Sequence, residues 1–470
     1  MLLVTTPVAA IAAVGLALRI GAGGALRAAI VYAAPPSAAG TGLAWQVVTF
    51  AEDHGIREPV AIPDLEVVAR SGSSEARWRG RTNEDGVAEV PLPMPTGDGP
   101  ELRVTSGTEL LAEGLAAAPV PVDRPVPTTA WARFARREGA IALDVAVLGQ
   151  RAAAGFPARI WVRATGAASH EAIVGATIEP EPDASFAPAT TSARTDARGW
   201  AEVVATPIGH AVTMILRARA PDGKSGLWAG ALFVSPGAPD LGVPPRIAPD
   251  EEAVVQVVVP TVRTTGYLEV DDARGRAWAT IVILRAEGDR MPRATVRVPR
   301  LKPGLYWAVF SSDPAGAALL GPGTAVRPFA VASTDVQALS FGPDGAECAP
   351  PLDVREERRA LAVCLALAKA VPIPRWRALE GFSAKHAAEG RRRKRGVVVA
   401  IGAIAVAVVA ETILLLRAAA VARARLRAAA EGEEADSARA FVGPLSTVTI
   451  SLLVAILGLL LLAAYVTRMG

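Results

Sequence analysis

The apolar positions of this chain follow two different patterns. Residues 396–416 and 445–466 are continuous apolar runs; the first contains one ionisable residue, Glu411, and the second contains none. About 20 helical residues cross the ~30 Å hydrocarbon core of a bilayer, and a soluble helix of that length would normally carry a polar stripe. The pattern predicts two transmembrane helices joined by a charged loop at 417–444.

The N-terminus forms a third apolar segment, residues 1–36, whose only charged residues are Arg19 and Arg27. No basic residue precedes its apolar stretch, unlike a secretory signal peptide. Ser37-Ala38-Ala39, the best cleavage-like tripeptide, lies far downstream. We interpret the segment as a signal anchor. A cleaved signal peptide, or upstream sequence translated from a misassigned start codon, are the alternatives.

Residues 42–335 instead alternate between apolar and polar positions over short runs, such as RIWVR at 159–163 and LYWAVF at 305–310. Short alternating runs separated by Gly, Pro and Asp clusters predict antiparallel sandwiches rather than βαβ units. Proline-rich segments at 118–127 and 235–245 divide the region. The sequence therefore predicts three β modules: module 1 at 42–122, module 2 at 130–237 and module 3 at 246–335.

An internal repeat supports this division. TNEDGVAEV at 82–90 matches TDARGWAEV at 195–203, and DARGRA at 272–277 is a weaker third copy. An Asp-rich turn, a glycine able to adopt positive φ and an alternating strand together predict a hairpin. VGATI at 174–178 introduces a strand ahead of the second copy.

This order of motifs resembles the bacterial immunoglobulin-like and macroglobulin-like β-sandwich modules, in which a VxGAxV strand precedes a TDxxGxAxV hairpin. The resemblance covers roughly 42–122 and 130–237, is best in the second, and concerns the fold. It implies extracytoplasmic interaction modules without a particular activity. The predicted fold class is mainly β: tandem immunoglobulin-like or macroglobulin-like antiparallel sandwiches, an N-terminal membrane segment and a C-terminal two-helix transmembrane hairpin.

Residues 336–390 are predicted to form a helical juncture, because 354–371 combines good helix formers with an apolar face. We consider two placements for this helix: it packs on the third module, or it lies in the membrane interface. The two cysteines, Cys348 and Cys364, both lie in the juncture. In an exported chain an isolated pair predicts a disulfide, whereas in a cytoplasmic region both would be buried thiols.

The basic residues do not favour either orientation of the membrane spans. RRRKR at 391–395 precedes the first span, and five arginines lie between the spans, so the excess of basic residues that marks a cytoplasmic flank is tied. Export of the β modules would place the loop at 417–444 inside. The RRRKR run is interpreted as a stop-transfer flank, with binding to anionic lipid as the alternative. Glu411 is expected to reach the headgroups or pair with Arg417, and a functional intramembrane acid is the alternative.

Composition adds little chemistry. The chain is 51% hydrophobic and 20% charged, with mean hydropathy +0.32 and a pI near 9.0, but its arginines form no stripe that would predict nucleic-acid binding. The four histidines neighbour no GxSxG-like elbow, His and Cys spacings do not suit zinc, and neither cysteine lies in a Cys-Gly-Glu-Gln thioester. We predict no catalytic, cofactor-binding or metal-binding residues.

Two weaker possibilities concern loops and aromatic residues. Asp250-Glu251-Glu252 and Asp271-Asp272 are interpreted as solvated turns, with calcium binding as the alternative. The tryptophans of the β region are spaced as core anchors, with an exposed carbohydrate platform as the alternative.

The sequence thus predicts a non-enzymatic protein of the bacterial inner membrane. Its β modules would lie on the periplasmic side and bind or scaffold an envelope partner, a protein or a glycan. A periplasmic-adaptor subunit of a transport or secretion assembly is the alternative, and a hydrolase with an unrecognised site is a third class.

Overall fold

The computed structural model describes residues 12, 15 and 25–430, except 36, 38–44, 54, 93–98, 118–130, 133–134, 183–184, 210, 236, 287, 289, 315–319, 322, 352 and 371. The chain divides into two compact units. The larger contains residues 29–50 and 59–380, and the smaller contains residues 1–28, 51–58 and 381–470.

The strands of the described residues are numbered in chain order. They are β1 (Leu26–Ala33), β2 (Trp45–Asp53), β3 (Ile56–Pro59), β4 (Leu65–Ser71), β5 (Ser74–Gly80), β6 (Val87–Val90), β7 (Glu101–Ser106), β8 (Glu109–Leu115), β9 (Ala135–Gly139), β10 (Ile141–Val147), β11 (Ala152–Ala153), β12 (Ala158–Gly166), β13 (Thr177–Pro180), β14 (Phe186–Pro188), β15 (Ala193–Arg194), β16 (Trp200–Pro207), β17 (Ala211–Arg219), β18 (Ser225–Ser235), β19 (Asp240–Gly242), β20 (Arg246–Ile247), β21 (Ala253–Val258), β22 (Thr265–Asp271), β23 (Arg276–Ile283), β24 (Arg293–Val298), β25 (Gly304–Ser311), β26 (Thr324–Val331) and β27 (Trp376–Glu380).

Module 1 is a sandwich of two sheets. One sheet has the order β27-β1-β2-β3, with β6 also paired to β2, and the other has the order β5-β4-β7-β8. Alternation along β4 explains the core: Leu65 and Val67 are buried, while Glu66 between them pairs with Arg79 at the surface. Because strand side chains point to opposite faces in turn, the two inner faces form one apolar core.

Modules 2 and 3 repeat this architecture. In module 2 the sheet β10-β12-β16-β14 faces β11-β18-β17-β13-β15, with β9 added on β18. In module 3 the sheet β19-β21-β24 faces β20-β26-β25-β22-β23. Each module has its own apolar core, and nearly all strand pairs are antiparallel. The mainly β prediction is confirmed.

Residues 335–380, which we call the strap, follow module 3. The strap contains α1 (Asp335–Leu339), two 3-10 turns (Ala346–Cys348 and Val354–Glu356), α2 (Glu357–Leu367) and finally β27. Leu361, Cys364 and Leu365 of α2 pack in one apolar cluster with Trp307 of module 3. The juncture is therefore only partly helical, and its last strand belongs to module 1.

The helix α3 (Phe382–Ala430) follows the strap and belongs to the smaller unit. It begins earlier than the predicted span at 396–416 and contains all of it. Among the described residues, no helix combines the length and the apolar character needed to cross a membrane. The predicted span at 445–466 and most of the predicted N-terminal segment lie outside the described residues, so the membrane segments stay predictions.

The N-terminal boundary predicted at residue 36 requires correction, because β1 occupies residues 26–33. Ala29, Val31 and Ala33 are fully buried in the core of module 1. Strand β1 also pairs with β27, with Ile30 opposite Glu380 and Ala33 opposite Trp376. Residues 28–31 are all buried, so both faces of the strand are covered. A continuous apolar run suits a lipid-facing helix and a strand buried on both faces equally well, so hydropathy alone could not separate them.

Candidate functional site: the contacts between modules

The repeated motifs form the same turn. In the first copy the Asn83 N–H donates to the Val87 carbonyl (2.9 Å), and the Val87 N–H donates to Asn83 Oδ1 (2.8 Å). In the second copy Asp196 and Trp200 exchange equivalent bonds of 2.9 and 2.8 Å. The glycine of the first turn, Gly86, has φ 71°, and a Cβ there would lie 2.5 Å from a backbone oxygen. Glycine is therefore required at this position.

The first turn holds a tyrosine of module 3. Asn83 Nδ2 donates to the Tyr267 hydroxyl, which in turn donates to Asp85 Oδ2, both over 2.8 Å. Tyr267 is 1% exposed and packs with Val48 and Val87 of module 1. Burial raises the pKa of the Tyr267 phenol above its ordinary value, so the phenol is neutral and able to donate.

The second turn holds the strap. Asp196 Oδ2 pairs with Arg359 Nε of α2 at 2.8 Å. Arg198, also in the turn, donates to the carbonyls of Ala349 (3.0 Å) and Glu347 (3.2 Å). The Glu347 side chain pairs with Arg163 of β12. Asp196 and Arg198 of this turn thus bind the strap, the segment that contains both cysteines.

Apolar contacts accompany these ion pairs. Trp161 and Trp200 of module 2 are 2% exposed and belong to one cluster with residues of α2. The ring of Trp131 stacks on Trp200 with centroids 5.6 Å apart. The residues that α2 contributes to this cluster are Val363, Ala366 and Leu367. Helix α2 therefore buries one side against module 2 and another against module 3, rather than lying in a membrane interface.

The third turn holds the chain between β1 and β2. Asp272 Oδ1 accepts the Gly275 N–H (2.8 Å), which closes the turn, and Asp272 Oδ2 accepts the Ser37 hydroxyl. The Arg276 N–H donates to the Pro35 carbonyl (2.9 Å), and the Ser37 N–H donates back to the Arg276 carbonyl (3.2 Å). All three copies of the repeat therefore make contacts between modules or with the strap.

A buried ion cluster lies beside the third turn. The Arg276 side chain, 1% exposed, places Nη2 2.6 Å from Glu89 Oε2 and 3.5 Å from Glu269 Oε1. Arg375 of the strap also pairs with Glu269 and donates to Gln46 Oε1 at 2.7 Å. Module 1, module 3 and the strap each contribute charged or polar side chains to this cluster.

The cluster is costly to break. Burial lowers the pKa of the Arg375 guanidinium, and the negative charge of Glu89 opposes that shift. Charges removed from water are tolerated only when they are paired. A change in how module 1 and module 3 pack would leave Glu269, which is 2% exposed, without its partners. The cluster therefore favours one arrangement of these modules over others.

A second buried arginine joins modules 2 and 3. Arg327 of β26 donates to the carbonyl of Leu148 in module 2 (3.3 Å) and to that of Leu241 (3.1 Å), and it pairs with Asp240 at 3.0 Å. Burial lowers the pKa of Arg327, and Asp240 opposes the shift. Arg151 of module 2 also donates to the Gly321 carbonyl at 2.8 Å.

The structure places the cysteines together: the Sγ atoms of Cys348 and Cys364 are bonded at 2.12 Å, and both residues are buried. The bond ties the first 3-10 turn of the strap to α2. Gly342 packs against it so closely that a Cβ there would lie 2.1 Å from the Cys364 sulfur.

The weaker predicted sites do not assemble. Asp272 is used in its turn, Asp271 is only 4% exposed, and Glu252 lies near Arg297. No group of three or more His, Cys, Asp or Glu residues that could hold a metal ion occurs in the described part of the chain. None of the nine tryptophans is exposed, which favours the core interpretation over a carbohydrate platform. The Glu411 side chain lies outside the described part.

The sequence did not single out the residues that join the modules. Glu269 and Arg276 alternate with apolar residues in their strands, which is the pattern of a solvent-facing position. The one available signal was the Asp-rich repeat, which marks all three turns.

No protein-family model matches the chain. No curated protein matches it either. Among solved structures, the D0-D1 domain of intimin is 14% identical, with 40% of this chain and 97% of that chain covered and a TM-score of 0.19. Invasin, a bacterial integrin-binding protein, is 14% identical over 66% of this chain and 60% of its own, with a TM-score of 0.17. Native E. coli alpha-2-macroglobulin is 11% identical over 66% of this chain and 20% of its own, also with a TM-score of 0.17. These are likenesses of fold.

Proposed function

We propose that this chain is a non-enzymatic, membrane-anchored protein of the bacterial envelope that holds its three β modules as one extracytoplasmic scaffold for a partner. The observation that carries the proposal is the use of the repeated turns. Each turn contacts another module or the strap, and the buried charges near them form ion pairs with one another. The turn shared by the three copies of the repeat therefore joins the modules to one another or to the strap.

The path of the chain supports anchoring of module 1. The chain enters the sandwich at β1 and leaves it at β27, and these strands are neighbours, with Ile30 opposite Glu380. Residues 1–25, the part of the predicted N-terminal segment that lies before β1, lead into that strand, and α3 follows β27 after one residue. Both segments predicted to lie in the membrane are therefore connected to the same end of one strand pair.

Within the smaller unit, the start of α3 is held by the hairpin at 51–58. His386 Nε2 lies 2.7 Å from Glu52 Oε1, and Arg57 Nε lies 2.7 Å from Glu52 Oε2. The Arg57 guanidinium is 4.0 Å from the centre of the Phe382 ring. These contacts tie the helix to a hairpin whose strands continue into module 1.

Exposed apolar side chains support a membrane location for the middle of α3. Val398, Val406 and Leu416 are 68%, 70% and 65% exposed, a pattern that is costly in water and favourable in lipid. The buried disulfide supports an oxidising compartment for the strap, because disulfides persist mainly outside the cytosol.

Site-specific labelling tests the proposal. Asp222 lies in the exposed turn before β18, and Ala424 lies in α3 beyond the predicted span. A membrane-impermeant maleimide should label D222C in intact cells and A424C only after permeabilisation, while the wild-type protein serves as the unlabelled control. The reverse pattern would contradict the extracytoplasmic placement. Release of the protein by alkaline carbonate would contradict the anchoring.

A further inference from the structure

Two loops at one end of module 3 expose apolar side chains. We call residues 259–265 and 283–293 the module 3 tip. Val262, Ile283 and Met291 are 98%, 62% and 46% exposed. The two loops are joined by backbone hydrogen bonds, including the Leu284 N–H to the Thr264 carbonyl at 2.8 Å. The exposed residues therefore lie on one connected surface.

The tip is also basic. Its exposed arginines are Arg263, Arg285, Arg290 and Arg293. The same stretch of sequence contains two acidic residues, at 287 and 289, which lie outside the described residues. Exposed apolar side chains among an excess of arginines are typical of surfaces that enter the headgroup region of anionic bilayers.

The contacts between modules 1 and 3 show where the tip lies. Strand β2 runs from Gln46, which contacts the buried ion cluster, to Phe50, which packs with Tyr267 and Ile281 of module 3. Ile283 is two residues beyond Ile281 on the same face of β23. Going from Gln46 to Phe50 along β2, one moves away from the ion cluster and toward the module 3 tip.

Strand β27 runs in that direction as well. Arg375, just before β27, contacts Gln46. Two residues later Arg377 is opposite Tyr32, and Tyr32 packs against the same apolar cluster as Phe50. The strand ends at Glu380 and leads into α3. The module 3 tip and the exit of the chain toward its predicted membrane helix thus lie at the same end of the larger unit.

We propose that the module 3 tip inserts its apolar side chains into the headgroup region of the anionic bilayer in which the chain is anchored. This inference rests on the anchoring proposed above. It gives the scaffold a second membrane contact, which restrains the tilt of the modules. Tethering by α3 keeps the tip at high effective concentration near the surface, so a small apolar area is sufficient.

A fluorescent label tests the insertion in the full chain. V262C carries an environment-sensitive dye, and V254C, on an exposed position at the opposite end of β21, is the matched control. Both proteins are reconstituted in vesicles of phosphatidylethanolamine with phosphatidylglycerol. We expect a blue-shifted emission and quenching by spin-labelled lipid for V262C and neither for V254C. Equal, water-like emission at both positions in protein that remains in the vesicles would overturn the tip proposal alone.

The charges provide an independent test. R285A/R290A should shift the ratio of inserted to free tip toward the free state by about fivefold per arginine. R297A, a change at the other end of β24, should leave the emission of the label at 262 unchanged. Loss of the whole protein from the vesicles would instead contradict the anchoring. Insertion that does not respond to R285A/R290A would contradict the role of anionic lipid.

Discussion

The hydroxyl of Tyr267 donates a 2.8 Å hydrogen bond to the carboxylate of Asp85, which precedes it by 182 residues. The bond connects module 3 to the repeated turn of module 1 at a partly buried position. Removing the Tyr267 hydroxyl alone, by a tyrosine-to-phenylalanine substitution, therefore tests how much this contact stabilises the interface between modules 1 and 3.

Tyr267→Phe should lower the stability of the larger unit by about 1–2 kcal/mol, because it removes a buried hydroxyl between two polar partners. Chemical denaturation in detergent measures the change. The matched control is Tyr306→Phe, whose hydroxyl donates to the Lys302 carbonyl within the same module. Only Y267F should also accelerate proteolysis between modules, and equal cleavage of both variants would contradict a role in the interface.

Arg276→Met should lower the free energy of unfolding by about 3–5 kcal/mol, because it removes the arginine paired with buried Glu89 and one of the two arginines paired with buried Glu269. Arg297→Met is the control, since Arg297 is 80% exposed and lies 4.0 Å from Glu252. The thermal midpoint distinguishes the two variants. A shift in R276M no greater than in R297M would show that the cluster is not a determinant of the fold.

The Cys348–Cys364 disulfide should contribute about 3 kcal/mol, as expected for a short closed loop. C348A/C364A should therefore unfold at lower denaturant than the wild type. Mass spectrometry after alkylation of the denatured protein, with and without reductant, measures the oxidation state directly. Two free thiols in protein taken from cells would contradict both the disulfide and the export of the strap.

The contact between Glu52 and α3 should weaken in acid. The hydrogen bond from Arg57 lowers the pKa of the Glu52 carboxyl below its ordinary value of 4.5. A group with a lowered pKa stabilises the folded state above the unfolded value, and this contribution is lost as the pH falls through the folded value. The stability difference between wild type and E52Q should decline below pH 4.5 and disappear as the pH falls through the lowered pKa of Glu52. A difference independent of pH would contradict the ion pair.

Strand β27 should be essential to module 1. Ala378 is 7% exposed in the module 1 core, whereas the neighbouring Arg377 points outward and pairs with Glu380. Ala378→Asp buries an unpaired charge and should destabilise the protein by several kcal/mol, about 3 or more. Arg377→Asp should cost less than about 1 kcal/mol. Similar denaturation midpoints would show that module 1 closes without the strap.

Much of the architecture follows from local sequence. Alternation along runs such as 159–163 predicts strands because each strand buries one face. The repeated turns at 82–87 and 195–200 follow from a short Asp or Asn side chain that bonds its own backbone and a glycine that tolerates positive φ. These features depend on neighbours within a few residues, so they can be read without a structure.

The tertiary structure decided how the modules are joined. Strand β1 has the composition of a membrane segment, and β27 is separated from β1 by three modules. Glu269 and Arg276 occupy outward positions of module 3 and become buried only when module 1 covers them. Hydrophobic periodicity reports which face of a strand leaves water within its own sandwich, but it carries no information about a second sandwich that covers the polar face.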